Sequence, residues 1–447
     1  MAILPYRTTP VMTDCMPTAI PFLVMNEAAE RFSYYGMRAI LVVFMTDYLL
    51  NYEGMSDVMG EAEARKYFHL FASAVYFFPV VGSLVADVFW GKFRTIVVLS
   101  IVYCLGHLAL AVDHTRLGLA IGLTLIAIGS GGIKPCVSAN LGDQFGVGNG
   151  HLISKAFYWF YFSINLGAGI STLLTPWLLH HVGPQVAFGV PGLLMLLATW
   201  VFWLGRWQYV HIPPKGKAFL GELMAPDSLQ AIWKLTPIFL FSAFFWSLYD
   251  QTGSAWVLQA KHMDRLWMGI EWLPSQIQVV NPFLIMVLIP IFSYGIYPML
   301  DKIFPLTPLR RIAIGFFVTV FAFVLSAQIE LQIAEGLHPN IVWQLLAFLV
   351  ITSAEVMVSI TCLEFSYTQA PRALKSVVMA LFLLSISLGN AFTSLVNYFI
   401  QNADGSVMLD GASYYWFFAG VMLSASLLFI WVAQRYQGKT YLQGEEA

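Results

Sequence analysis

The sequence predicts an all-α integral membrane protein of twelve transmembrane helices arranged as two bundles of six. Three observations lead there. Of 447 residues, 58% are hydrophobic, 15% aromatic and only 11% charged; a soluble domain carries about 25% charged residues, so there is too little charge here to coat a water-facing surface. Apolar stretches near the roughly 20 residues that span a bilayer recur along the whole chain. The longest polar break after a helix, Arg206 to Gln230 with Pro213-Pro214-Lys215-Gly216-Lys217, divides those stretches evenly. The same composition excludes a disordered chain, and a net charge of −2 gives no basic footprint for nucleic acid.

In chain order the spans are predicted at 18–48, 66–89, 95–113, 118–141, 154–180, 185–205, 230–257, 278–300, 310–329, 342–369, 376–402 and 414–434. They group as an N-terminal bundle (1–205), a cytoplasmic linker (206–229) and a C-terminal bundle with a short tail (230–447). The stretch Met1 to Pro17, with Pro5, Pro10, Asp14 and only Arg7 as a cation, lacks the features of a cleavable signal, so the first span is expected to stay. Cys15, Cys104, Cys136 and Cys362 show neither disulfide nor metal spacing, and no cofactor is expected.

Orientation follows from the cations. With both termini inside, fourteen of the 23 Lys and Arg fall on the cytoplasmic side, among them Lys92, Arg94, Lys215, Lys217, Arg372 and Lys439. Five lie outside (Arg65, Lys66, Arg116, Lys261, Arg265), and Arg31, Arg38, Lys134 and Lys234 lie within helices. The chain is therefore expected in a cell membrane, inner or plasma, with both termini cytoplasmic. Two six-helix halves joined by a cytoplasmic linker is a plan of secondary transporters, whose site lies near the midplane between the halves.

Between the second and third spans lies Gly82-Ser-Leu-Val-Ala-Asp87-Val-Phe-Trp90-Gly91-Lys92-Phe-Arg94-Thr95. It resembles the signature loop of the major facilitator superfamily, in which glycine permits a tight turn while the acid and the cations clamp neighbouring helix ends. A degenerate echo, Tyr297-Pro298-Met-Leu-Asp301-Lys302 followed by Leu309-Arg310-Arg311, stands in the second half.

The informative charges are those inside helices. The first span carries Glu27, Glu30, Arg31, Tyr34 and Arg38; at 100° per residue these occupy a stripe about 100° wide, one polar face looking into the protein. The fourth span adds Lys134 in Gly131-Gly132-Ile133-Lys134-Pro135, the seventh Asp250 and the tenth Glu355. An unpaired ion near a helix centre costs roughly 2.5–3.5 kcal/mol, so these seven charges must pair with one another or with water. Three are positive and four negative, and binding one proton would neutralise the set. Proton coupling is the reading this favours over a static network that only fixes packing.

At this point the residues resemble a known family. Glu27-x-x-Glu30-Arg31 with Tyr34-Tyr35-Gly36, Gly132-Ile-Lys134-Pro135-Cys136 and Phe160-Tyr161-Phe-Ser-Ile-Asn165-x-Gly167 are similar to proton-dependent oligopeptide transporters. So are Phe245-Trp246-Ser-Leu-Tyr-Asp250-Gln251 and Glu364-Phe-Ser-Tyr-Thr-Gln-Ala-Pro371. The resemblance implies symport of di- and tripeptides with protons by alternating access, by a monomer and without enzymatic activity.

Carried over residue by residue, the resemblance sets Arg31, Lys134 and Asn165 against the peptide carboxylate and Glu355 with Asn281 against its amino terminus. Tyr34, Tyr35, Tyr161 and Trp246 would line the pocket, with Phe382 where many members have tryptophan. It implies Glu27 and Glu30 as proton carriers poised by Arg31 and Lys134, and Arg38 with Asp250 as an outward gate that protonation of Asp250 would open. His69 shares a face with Ser73 and Tyr76 and stands where animal-type members carry a proton-handling histidine. Glu364, on the opposite side of its helix from Glu355, is expected in a gate or a structural pair.

The pattern departs from the family in two places. The break at 206–230 is too short for the two extra helices of many bacterial members, and the loop near Leu331 to Asn340 replaces the large outer domain of animal members. Three other functions stay open on the sequence. An intramembrane enzyme lacks an HExxH, GxSxG or paired-aspartate element, and a channel would equilibrate rather than accumulate its solute. Carriers of nitrate or peptide-like metabolites share the family but often lack the Glu-x-x-Glu-Arg element present here.

Overall fold

A computed structural model describes residues 6–214, 216, 221, 224, 226–369, 375–402 and 406–436. Of the residues singled out above, Pro5, Lys215, Lys217, Pro371, Arg372 and Lys439 lie outside the described residues. Among those described, twelve helical rods follow one another. The first six are α1 (Ile20–Asp47), α2 (Glu61–Leu84), α3 (Lys92–Val112), α4 (Arg116–Asp143), α5 (Ile153–His181) and α6 (Pro184–Leu204). The second six begin with α7 (Pro226–Tyr249, continued through a 3-10 turn at Asp250–Gly253 into Ala255–Lys261) and α8 (Pro274–Asp301). They continue with α9 (Pro308–Ala334), α10 (Val342–Glu355, a π turn at Val356–Ile360, then Thr361–Thr368), α11 (Lys375–Phe399) and α12 (Ala412–Arg435).

Eleven of these rods are long and apolar enough to cross a membrane. The exception is α1, 28 residues long, in which every stretch long enough to span contains at least three of Glu27, Glu30, Arg31, Arg38 and Asp47. Its failure as a hydropathy span is caused by the same residues that form the predicted polar face.

Helix ends follow local chemistry. Thr115 caps α4 by accepting from Gly118 N, and Thr307 caps α9 by accepting from Arg310 N ahead of Pro308 at the first helical position. The signature-like stretch 82–95, which joins the spans predicted at 66–89 and 95–113, is helical except at Gly91: α2 runs into a π turn at Val85–Trp90, and Gly91 at φ +75° makes the break before α3. Lys92 then pairs with Asp143 at the end of α4, with 2.5 Å between Nζ and Oδ2. The connection after α7 holds a two-residue hairpin, Leu266–Trp267 with Ile270–Glu271, whose turn residues Met268 and Gly269 both have positive φ as a two-residue type I′ loop requires.

The chain folds as two compact units, Met1–Val58 with Ala74–Gly221, and Met59–Ser73 with Glu222–Ala447. In the first, α1 packs on α5 and α6, and α3 on α4 and α6. Gly82 of α2 meets Gly132 of α4 so closely that a side chain at position 82 would strike the backbone of the other helix, the small-residue contact that membrane helices use in place of apolar burial.

In the second unit, α9 packs on α12 and α10, α11 on α7, and α8 on α10. The first half of α2, to Ser73, belongs here, and α11 offers it a polar stripe. Ser387, Asn390, Ser394 and Asn397 recur at helical spacing and bond, respectively, to Ser73 O, His69, Lys66 O and Arg65. Arg65, assigned above to an outer loop, is consequently a buried helical residue, held at 3.1 Å by Asn397 Oδ1 and lying 4.3 Å from the Tyr414 ring centroid.

Candidate functional site: two polar clusters inside the helices

The first unit gathers the stripe on α1. Arg31 sits one turn after Glu27 and next to Glu30, and its guanidinium serves both: Nε lies 3.0 Å from Glu27 Oε1 and Nη2 2.5 Å from Glu30 Oε2. All three are buried. The second oxygen of Glu30 accepts from Ser130 Oγ of α4 at 2.8 Å. Gly167 of α5 makes the approach of α1 possible, since a Cβ there would collide with Ala28 O.

Lys134, four residues after Ser130 and so on the same face of α4, lies against rings: Nζ is 4.1 Å from the Tyr76 centroid and 5.2 Å from that of Tyr34. The cations expected to poise the acids therefore divide, Arg31 in contact with both carboxylates and Lys134 on aromatic faces. Tyr34 is fully buried beneath this pair and Tyr35 meets it edge-on at 5.3 Å. Tyr161 is 48% exposed, and the Asn165 amide donates back to Tyr161 O of its own helix. Arg38 is buried two turns beyond Arg31 on α1.

In the second unit Glu355, at the last residue of α10 before the π turn, is joined to α8 and α7 by one amide. Asn281 Nδ2 donates to Glu355 Oε2 at 2.8 Å and to Thr352 Oγ1 at 3.1 Å, while Asn281 Oδ1 accepts from Tyr249 OH at 3.2 Å. Trp246 and Phe382 pack edge to face 6.0 Å apart, and Tyr249 also meets Trp246 edge to face at 5.4 Å, an aromatic group on α7 and α11.

A second amide organises the contact of α2 with α7 and α11. Asn390 Nδ2 donates to Asp250 Oδ2 at 2.6 Å, and its Oδ1 lies 2.7 Å from Nδ1 of His69, whose Nε2 lies 2.8 Å from Ser254 Oγ. The 3-10 break at Asp250–Gly253 places Asp250 and Ser254 together, and Gly253 admits the Phe68 ring beside His69.

Glu364 lies apart from both clusters, in a 460 Å³ cavity lined also by Ser293, Tyr297, Asp301, Arg311 and Thr361. Arg311 lies 4.5 Å from the Tyr297 ring centroid in the same cavity, so the echo of the first-half signature faces Glu364.

Ser130, Thr352, Tyr249, Ser254 and Asn390 are the polar partners that were not singled out from the sequence. For Asn390 a signal existed: Ser387, Asn390, Ser394 and Asn397 form an i, i+3, i+7, i+10 polar stripe in an otherwise apolar span. The other four are single hydroxyls whose partners lie on different helices.

Comparison with known proteins agrees with this architecture. The POT family model matches residues 93–225 and 220–417. Peptide transporter family 1 of Drosophila melanogaster is 36% identical over 72% of this chain and 49% of its own length. Solute carrier family 15 member 2 of Mus musculus is 36% identical over 80% of this chain and 55% of its own. The chain thus spans about half the length of the curated relatives it matches. The crystal structure of an auto-inhibited POT family peptide transporter superposes with a TM-score of 0.87 at 34% identity, covering 96% of this chain and 99% of that one. With this family match and its eleven apolar spans beside the charged α1, the chain is a multi-pass membrane protein with the major facilitator fold, and it belongs to the POT family.

Proposed function

We propose that this protein is a proton-coupled symporter that imports di- and tripeptides by alternating access. The observation that carries the reading is the Arg31 guanidinium shared between Glu27 and Glu30 inside a membrane helix. A peptide carboxylate that engages Arg31 must displace an acid. An ionised acid stripped of its cation in a low-dielectric interior is costly, and a proton neutralises it. Binding of substrate and of a proton are linked by that exchange.

Arg31 and Lys134 are assigned to the peptide carboxylate, with Asn165 as an accessory donor, and Glu355 with Asn281 to the amino terminus. Tyr34, Tyr35, Tyr161 and Trp246 are assigned to the walls. Glu27 and Glu30 carry the proton, Arg38 and Asp250 gate access, His69 handles protons at the outer end and Glu364 acts at the cytoplasmic end. The protein works as a monomer in a cell membrane with both termini cytoplasmic, carries the bundles as 1–205 and 230–447 about the 206–229 linker, and performs no covalent step.

A substrate screen tests this. In proteoliposomes with an inward proton gradient, dialanine and trialanine should be taken up while alanine and nitrate are not. Uptake of nitrate or of free alanine in preference to the peptides would overturn the substrate assignment.

A further inference from the structure

Asn390 has a fixed orientation. Its Nδ2 donates to the backbone carbonyl of Ile386 at 3.0 Å, an atom that only accepts, and to the Asp250 carboxylate at 2.6 Å. Both contacts require the NH2 end of the amide, so the end 2.7 Å from His69 Nδ1 is the carbonyl oxygen. A carbonyl accepts and never donates, and Nδ1 must therefore carry a hydrogen. In neutral imidazole the other nitrogen is then the free acceptor, and it faces Ser254 Oγ at 2.8 Å, a hydroxyl that rotates to donate to Nε2 or to accept from Nε2–H.

We propose that Asn390 is a positioning residue for proton coupling, fixing neutral His69 as its Nδ1–H tautomer so that Nε2, opposite Ser254, is the atom that takes the proton. The same amide joins the two ionisable groups electrically. A charge on His69 strengthens Nδ1–H···Oδ1, polarises the amide and strengthens Nδ2–H···Oδ2 to Asp250, so that protonated His69 and ionised Asp250 support each other without a proton passing between them.

The charged residues on the elements packed around His69 are Asp227, Lys234, Asp250 and Lys261 on α7, Lys375 at the start of α11 and, on α2 itself, Glu61, Glu63, Arg65 and Lys66; of these, Asp250 shares the Asn390 amide with His69. Arg65 is engaged by Asn397 and the Tyr414 ring of α12, and the buried polar residues of α11 beside His69, Ser387 and Asn390, are neutral. The assignment rests on the proton-coupled reading of the chain for its functional meaning, but the tautomer is a property of the folded protein alone.

Two measurements test it. Nitrogen-15 spectra of histidine-labelled wild type in liposomes, with the His69 signal assigned by its loss in His69→Gln, should show neutral His69 as Nδ1–H; the Nε2–H form would overturn the assignment. In Asn390→Leu, which keeps the branched shape and removes the amide, proton-driven dialanine uptake should fall about tenfold relative to dialanine counterflow at symmetric pH, the loss expected for one hydrogen bond to an ionising group. Equal loss of uptake and counterflow would reduce Asn390 to a packing residue and overturn the proposal. If wild type shows no proton-driven peptide uptake, the transport reading fails while the spectrum still decides the tautomer. If Asn390→Leu does not fold, the wild-type spectrum decides alone.

Discussion

The two polar clusters satisfy their carboxylates in different ways. In the first unit Glu27 and Glu30 share a guanidinium, and Ser130 completes Glu30. In the second unit amides face the carboxylates: Asn281 donates to Glu355 and Asn390 to Asp250. A guanidinium cancels charge, whereas an amide dipole only solvates it. The first arrangement is thus bound to the identity of its ionic partner, and a competing anion disturbs it. The second tolerates a change in protonation, because a protonated carboxyl keeps a carbonyl oxygen that goes on accepting the same amide N–H.

The sharpest way to break this comparison is to remove one partner from each side. Arg31→Ala leaves two buried acids without their cation and should cost about 3–5 kcal/mol in stability, read as a lower unfolding midpoint in detergent. Asn281→Ala removes a hydrogen bond to one carboxylate and should cost about 1.5–3 kcal/mol. Equal losses would mean that both clusters are solvated alike.

The next effect is on selectivity. Glu355→Gln keeps the shape at Asn281 and removes the charge, so uptake of dipeptides with a free amino terminus should fall roughly tenfold or more, while amino-blocked analogues change little. Parallel losses would detach Glu355 from the amino terminus.

The smallest effect lies outside the membrane. Asp264 accepts from Leu266 N at 3.0 Å and Asn340 Nδ2 at 2.8 Å, tying the hairpin after α7 to the start of α10. The Leu266 backbone N–H first, and the Asn340 amide with it, hold the Asp264 carboxyl below the usual carboxylate range. A lowered folded value means that the contribution is fully present above the unfolded value of about 3.9 and is lost as pH falls through the folded one. Hydrogen exchange at Leu266 should stay protected at pH 4.5 and lose that protection in Asp264→Ala; unchanged protection in the variant would remove the tie.

Much of this was legible because helical periodicity is strict. The face of α1 carrying Glu27, Glu30, Arg31, Tyr34 and Arg38 follows from spacing alone, and Arg31 does meet both acids. Asn281 and Glu355 were placed together only through the family resemblance, as joint partners of a peptide amino terminus; their own hydrogen bond, across 74 residues of chain, is read only in three dimensions. Hydropathy places α2 as one span and gives no sign that residues 59–73 pack with the second unit; that follows from polar groups on α11 whose partners are read only in three dimensions. Between the spans predicted to end at 89 and to begin at 95, a π turn carries α2 to Trp90 and Gly91 alone supplies the turn.

The central claim is that uptake of a zwitterionic peptide carries a proton. A neutral dipeptide moving with one proton transfers one positive charge, worth about 2.3 kcal/mol per 100 mV, or roughly fifty-fold accumulation. The direct measurement is labelled dialanine in proteoliposomes with an imposed inside-negative potential of about 100 mV and equal pH on both sides. Concentration inside toward that ratio, abolished by a proton-conducting uncoupler, is the expected result. Equilibration to the outside concentration and no further, with or without the potential, would contradict it.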